Sequence, residues 1–236
     1  MGSKNRIAKE ILPIILKNRK PNQYYVEPFV GGCNIIDKVD GLRIGSDKNK
    51  YLIAMWQGLQ ENLDRPYTIP KELYAKARTE YNNKTNIEFS DFLIGWIGWM
   101  ASYNGRFFDG GYSGHSVGKT KPRDYIAEQI RNTEKQIPHI QTVTFIHSDF
   151  VNLNLPKNSI IYCDIPYQNT KQYATSKSFD YTLFWNWCRE KHNEGHEIFI
   201  SEYQAPNDFK CVWQKEVTNS MNTTKTYKPT EKLFTL

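Results

Sequence analysis

The chain has 236 residues, 39% of them hydrophobic and 14% aromatic, enough apolar material for one α/β domain carrying an inserted subdomain. A mean hydropathy of −0.66, with no apolar run of bilayer length, argues against a membrane-spanning protein. Lys and Arg total 31 against 25 Asp and Glu, a formal charge of +6 that permits polyanion binding without requiring it.

The N-terminus, Met1 to Lys9, is basic and polar, and the short apolar stretch Ile11 to Leu16 is broken by Pro13, so no signal peptide is expected. Apolar residues at Ile7, Ala8, Ile11, Leu12, Ile14, Ile15 and Leu16 predict an amphipathic helix over Asn5 to Leu16. Tyr24 to Phe29 reads as a strand, Gly31 and Gly32 as a turn, and Cys33 to Val39 as a short helical stretch. Leu42 to Ser46 is a second strand ending in Asp47, and Tyr51 to Leu63 a helix. Lys71 to Tyr81 reads as a charged helix and Phe92 to Ala101 as a buried one. The glycine density of Tyr103 to Gly114 excludes helix and central strand, and helix resumes over Asp124 to Gln136. Strand pattern returns at Val143 to His147, Ile160 to Cys163 and Glu197 to Ser201, with a helix over Phe179 to His192. Trp213 to Val217 and Lys232 to Leu236 suit a late hairpin. Strands separated by helices predict a largely parallel α/β sheet. The expected division is one domain of residues 1–55 and 137–236, interrupted by a mainly helical insert at 56–136.

Cys33, Cys163, Cys188 and Cys211 form no C-x-x-C pair, which makes zinc and a disulfide framework poor readings and a reducing cytoplasm the expected setting. His115, His139, His147, His192 and His196 show no metal-ligand spacing and are expected at the surface or at helix ends.

Glu27-Pro28-Phe29-Val30-Gly31-Gly32 lies between the first strand and the expected helix. Glycines there let the backbone approach a ligand without a Cβ clash, and a following helix would offer unsatisfied N–H groups. Asp47 ends the second strand, where doubly wound folds accept hydrogen bonds from ribose hydroxyls. Neither G-x-G-x-x-G nor a phosphate-binding loop is present, so the ligand should be nucleoside-like, with no pyrophosphate to cradle. A tight turn beside a solvated aspartate is the plain alternative.

In Ile160 to Tyr167 an apolar strand runs into Asp164-Ile165-Pro166-Tyr167. Pro166 restricts Ile165 to an extended conformation, which gives the Ile165 carbonyl a defined direction. An exocyclic amine is a poor nucleophile because its lone pair is delocalised into the ring. Acceptors for both amino hydrogens favour a pyramidal nitrogen, and the Asp164 carboxylate and Ile165 carbonyl supply them, with Tyr167 as a stacking surface. A strand-ending turn with a half-buried tyrosine is the plain alternative.

With these pieces in place, the sequence resembles the Dam-type, D12-class DNA N6-adenine methyltransferases, including small phage-encoded members. Gly2-Ser3-Lys4 with Arg6 resembles the cofactor-side N-terminal segment, and Glu27 to Gly32 the methyl-donor-binding motif. Ser148-Asp149-Phe150 resembles the segment whose aspartate meets the cofactor adenine, and Asp164 to Tyr167 the catalytic Asp-Pro-Pro-Tyr motif. Asn104 to Tyr112 and Glu231-Lys232-Leu233-Phe234 resemble two further family segments. The departures are Cys33 where the family carries a glycine or another small residue, and Ile165 in place of the first proline.

The resemblance implies a Rossmann-like S-adenosylmethionine-dependent methyltransferase fold with an inserted, mainly helical DNA-recognition subdomain. It implies S-adenosylmethionine as methyl donor, S-adenosylhomocysteine as product and no metal. The implied partner is double-stranded DNA, bound by a monomer or weak dimer, in the host cytoplasm if the chain is phage-encoded. Lys4, Glu27, Pro28, Phe29, Gly31, Gly32, Asp47 and Asp149 would serve the cofactor, and Asp164, Ile165, Pro166 and Tyr167 the flipped adenine. In the insert, Asn104, Arg106, Lys119, Lys121 and Arg123 are the DNA-binding candidates, with Lys71, Lys76, Arg78 and Lys84 as further phosphate contacts. Phe107 and Phe108 read more simply as core aromatics. The competing functions are methylation of cytosine N4, RNA or protein glutamine, and a catalytically silent DNA-binding relative.

Overall fold

A computed structural model describes residues 4–117, 122–168, 179–216 and 229–236. In chain order the elements are α1 (Ala8–Ile15), β1 (Tyr25–Glu27), β2 (Arg43–Asp47), α2 (Lys50–Gln60), α3 (Lys71–Asn83), α4 (Asp91–Ala101), β3 (His115–Val117) and β4 (Pro122–Asp124). There follow α5 (Tyr125–Glu134), α6 (Ile137–Ile140), β5 (Val143–His147), β6 (Ile160–Asp164), α7 (Tyr181–Asn193), β7 (Glu197–Glu202), β8 (Lys210–Glu216) and β9 (Thr230–Thr235).

Among the described residues, seven strands form one sheet in the order β5-β2-β1-β6-β7-β9-β8. β1 pairs in parallel with β2 and with β6, and β6 in parallel with β7, whereas β9 runs antiparallel between β7 and β8. Ile160, Ile161, Tyr162 and Cys163 of β6 are all buried, the continuous apolar run that a strand covered on both faces requires. Parallel pairing brings the C-terminal ends of β1, β2, β6 and β7 to one edge of the sheet, the edge where open α/β folds place ligands. This is the expected Rossmann-like α/β architecture, with a mostly parallel sheet and added helices.

The segment after β1 departs from expectation. No α-helix follows the glycines; Gly31 has φ +46° and Cys33 φ +54°, left-handed values that interrupt a right-handed helix at its start. Only a 3-10 turn, Ile36–Lys38, forms, and burial of Cys33, Ile35, Ile36 and Val39 holds the irregular path. The expected row of helix N–H donors is therefore missing from this turn. β1 is also shorter than Tyr24 to Phe29, because Pro28 has no N–H to extend the ladder.

The chain divides into two compact units. The first is Met1–Ser46, Thr142–Thr144 and Ser148–Leu236; the second is Asp47–Gln141 with Phe145–His147. Within the second, α2 and α4 pack at glycine contacts: a Cβ on Gly95 would lie 2.0 Å from the Tyr51 carbonyl oxygen. That close approach fastens α2 to the helical unit. The residues leading into α5 carry a β3–β4 antiparallel ladder, with Ser116 opposite Arg123.

His196 corrects another expectation. It is buried, and its Nδ1 accepts the Ser159 N–H at 3.1 Å. Desolvation lowers its pKa, against the opposing pull of Glu194, so it is held neutral. His139, His147 and His192 are exposed as expected.

Candidate active site

The β6 strand is buried until Asp164, the first of its residues with partial access to solvent. Ile165 is buried after it, Tyr167 is half-buried, and the Pro166 carbonyl accepts the Tyr181 hydroxyl at 2.8 Å, which fixes the exit of the strand. Two side chains from the far ends of the sequence meet this element. Lys4, in a 3-10 turn before α1, places Nζ 3.3 Å from Asp164 Oδ1, 3.2 Å from Glu231 Oε2 and 2.5 Å from the Tyr167 hydroxyl. Tyr167 donates in turn to Glu231 Oε2 at 2.5 Å, and the Lys4 ammonium lies 4.4 Å from the centre of the Tyr167 ring.

A buried ammonium is costly unless paired and hydrogen-bonded. Burial disfavours the Lys4 cation, but Asp164 and Glu231 outweigh it and hold the Lys4 pKa above its ordinary value. For Asp164 the balance is reversed: desolvation raises its pKa, with Lys4 opposing. Burial also pushes the Tyr167 hydroxyl well up, so it stays a phenol between a cation and a carboxylate.

A layer of polar contacts supports this cluster. Glu27 is buried, accepts the Tyr25 hydroxyl at 2.9 Å, and has its pKa pushed well up by burial. Its carboxyl thus faces Tyr25. Tyr162 and Ser201 share a hydroxyl–hydroxyl bond of 2.8 Å between β6 and β7. Glu202, at the end of β7, accepts the backbone N–H groups of Gln168 and Tyr203, and the Tyr203 ring meets Tyr167 edge-on at 4.6 Å. Tyr167 is thereby fixed at its hydroxyl, its face and its edge. Glu202 went unnoticed in the sequence; its one signal is its place at the end of an apolar parallel strand. Glu231 lies in a family-like segment, but nothing local to it points to Lys4.

The structure also brings the glycine turn and the Ser148–Phe150 segment together. The Val30 N–H donates to the Ser46 carbonyl at 2.8 Å, and the Ser46 hydroxyl donates to the Ser148 carbonyl at 3.3 Å. Phe29 lies 5.4 Å from Phe150 and 5.8 Å from Phe179, ring centre to ring centre. Pro28 is buried, whereas Phe29, Gly31, Gly32 and Asp149 keep partial access. A Cβ built on Gly31 would find only the Phe29 carbonyl oxygen within 4 Å, at 3.9 Å, so it is the φ of +46° that favours glycine there. Lys4, expected beside the cofactor, contacts Asp164, Tyr167 and Glu231. Asp47 closes β2, half-exposed, with one carboxylate oxygen accepting the Asn49 N–H at 2.9 Å.

In the second unit, Phe108 is buried and packs with Phe107, Tyr74 and Tyr81 at ring separations of 5.0–5.2 Å. These loop aromatics belong to the core. Arg106 pairs with Asp109 at 3.3 Å, and exposed Arg123 makes a two-pronged contact with Glu128 at 2.6 and 2.7 Å. Asn104 sits in the 3-10 turn Tyr103–Gly105, while Lys119 and Lys121 lie outside the described residues. Among the described residues, no group of three His, Cys, Asp or Glu side chains is arranged to hold a metal ion, and no helix is long and apolar enough to cross a membrane.

Comparison with curated proteins finds no match. Among solved structures, one similar chain is SMU.472, provisionally described as a methyltransferase and solved with SAH: 14% identity, TM-score 0.42, over 100% of this chain and 52% of that one. This chain thus spans about half the length of that relative. Another is the rRNA methyltransferase AviRa from Streptomyces viridochromogenes, with 9% identity and a TM-score of 0.41 over 98% of this chain and 83% of that one. The family model described as D12 class N6 adenine-specific DNA methyltransferase matches residues 1–233. With that match over nearly its whole length, the chain belongs to the D12-class family.

Proposed function

We propose that the chain methylates N6 of a flipped adenine in double-stranded DNA. The observation that carries this reading is Asp164, a partly accessible carboxylate closing a buried central strand, with Tyr167 fixed beside it, in a chain matching the family over residues 1–233.

The residues fit S-adenosylmethionine. Phe29, Phe150 and Phe179 cluster beside the glycine turn and suit an adenine ring, and Asp149 offers an acceptor next to them. Asp47 is assigned the ribose hydroxyls. Asp164 and Glu231 against the single ammonium of Lys4 leave an excess negative charge that suits a sulfonium. When bound, that group supplies an electrophilic methyl carbon.

The chain's own residues do the rest. The Tyr167 ring offers a face for the extruded base, offsetting part of the few kcal/mol that flipping costs. Asp164 accepts one amino hydrogen while bonded to Lys4, because a carboxylate has acceptor capacity at both oxygens. The Ile165 carbonyl is assigned the second hydrogen. Both bonds strengthen as nitrogen becomes pyramidal, so they act chiefly in the transition state. Arg106, Arg123, Lys119 and Lys121 are assigned to DNA, with Asn104 as a further contact.

Methylation-aware sequencing of DNA from cells expressing the chain tests the reading. N6-methyladenine in a fixed context is expected; N4-methylcytosine, or modification confined to RNA or protein, would overturn it. Calorimetry with S-adenosylmethionine should show binding that Asp47→Ala weakens.

A further inference from the structure

The Lys4 cluster contains one carboxylate more than base recognition uses. Glu231 lies on β9, which runs antiparallel between β7 and β8, and it is buried. Holding a carboxylate there is unfavourable unless it is compensated, and a hydrophobic residue could fill the space. Its position completes an unbroken line of short contacts: Asp164 Oδ1 to Lys4 Nζ at 3.3 Å, Lys4 Nζ to the Tyr167 hydroxyl at 2.5 Å, and that hydroxyl to Glu231 Oε2 at 2.5 Å. Each member can pass a proton to the next. The Glu231 side chain keeps 12% exposure, so the far end of the line retains access to solvent.

Methylation of an amine releases a proton. This inference rests on the adenine-N6 reading, in which N6 forms a bond to the methyl carbon while the carbon–sulfur bond breaks with its electron pair left on sulfur. N6 then carries a positive charge and two hydrogens, and must lose one. Asp164 is the acceptor beside it, and must be deprotonated again before the next turnover.

We infer that Glu231 is a positioning residue that also receives this proton. One proton passes from N6 to Asp164. Lys4 gives a proton to the Tyr167 oxygen as Tyr167 passes its own to Glu231, and the proton on Asp164 refills Lys4. The line ends with Asp164 ionised, Lys4 an ammonium, Tyr167 a phenol and Glu231 a carboxylic acid. No atom or electron is left over, and no co-reactant is needed. The same two bonds hold the Tyr167 ring upright against Tyr203.

The groups around Glu231 define what else titrates nearby. Lys4 comes from the N-terminal turn, Asp164 and Tyr162 from β6, Tyr167 from the segment after it, and Glu202 from β7. Lys215 is opposite Glu231 in the β8–β9 register, but its ammonium is bonded to Glu10 at 2.5 Å.

The experiment is single-turnover methylation of duplex DNA against pH, with thermal unfolding and cofactor binding measured in parallel. Glu231→Gln keeps an oxygen for the Tyr167 hydroxyl but accepts no proton. Its rate should fall by about tenfold or more near neutrality and recover as pH rises, when solvent base takes the proton. Tyr167→Phe keeps the ring and removes the hydroxyl, leaving only the longer direct Lys4–Glu231 contact of 3.2 Å, and should show a pH-dependent loss no larger than that of Glu231→Gln. The double variant should be no slower than the worse single one, and Glu231→Asp should recover part of the rate. A Glu231→Gln rate within about twofold of wild type at every pH would overturn the relay. So would a loss independent of pH, or losses that multiply in the double variant. Absence of N6-methyladenine with the wild-type chain would overturn the adenine reading and the relay with it; normal wild-type turnover with unaffected variants would overturn the relay alone.

Discussion

The Asp164 cluster and the Arg106 loop both combine aromatic rings with charge, yet they are built in opposite ways. Lys4, Asp164, Tyr167 and Glu231 come from three widely separated stretches of chain and meet through strand order. Arg106 answers to Asp109, three residues on, and Arg123 to Glu128, five residues on. In the first region the charges are desolvated and mutually dependent. In the second, the aromatics retreat into a local core and leave each cation with a nearby, partly exposed acid. Long-range assembly makes a centre in which each charge is held by the others. Local pairing makes a surface whose cations can exchange an acid for a phosphate at little cost, since exposed ion pairs contribute at most about 1 kcal/mol.

The strongest test of that contrast is Asp164→Ala. It should reduce single-turnover methylation by about a hundredfold or more, the loss of about 3 kcal/mol of preorganised stabilisation. Near-normal turnover would remove Asp164 from the chemistry and the contrast with it. Gly95→Ala comes next. Its added Cβ would meet the Tyr51 carbonyl oxygen at 2.0 Å, and overpacking of this kind costs about 1–3 kcal/mol in urea unfolding. An unaltered midpoint would show that α2 and α4 are not as tightly joined as the second unit requires.

Smaller effects separate the two cations of the surface. Arg123→Ala should lower the log-affinity versus log-salt slope for DNA by about 1 and weaken all sequences alike, as expected for a phosphate contact. Arg106→Ala should cost more on the preferred site than on random DNA, by about tenfold if it reads a base edge. Equal losses on both DNAs would make Arg106 a second phosphate contact.

The smallest effect concerns His196. Its folded pKa lies below that of the unfolded imidazole, so the unfolded chain takes up a proton that the folded chain resists. Stability is therefore fully present above the ordinary imidazole range near 6.5 and is lost as pH falls from there through the lower folded value. His196→Gln, which can still accept the Ser159 N–H, should flatten the dependence of the unfolding temperature on pH in that interval. A wild-type curve already flat there would mean that His196 charges freely in the fold.

Much of this molecule could be read from local pattern. Period-two and period-3.6 spacing marked most strands and helices to within a few residues, because each element must bury one face or both. The Asp-Ile-Pro-Tyr run could be placed at a strand end because proline restricts its neighbour locally. Tertiary structure decided what depends on distant partners: the strand order that seats β9 between β7 and β8, the irregular path from Gly31 to Val39, the burial of His196, and the meeting of Lys4 with Asp164 and Glu231. Those features follow from desolvation and from which charges and apolar surfaces the fold brings together, across 227 residues for Lys4 and Glu231 and 37 for Ser159 and His196. No periodicity in the sequence records such a pairing; only the folded sheet supplies it.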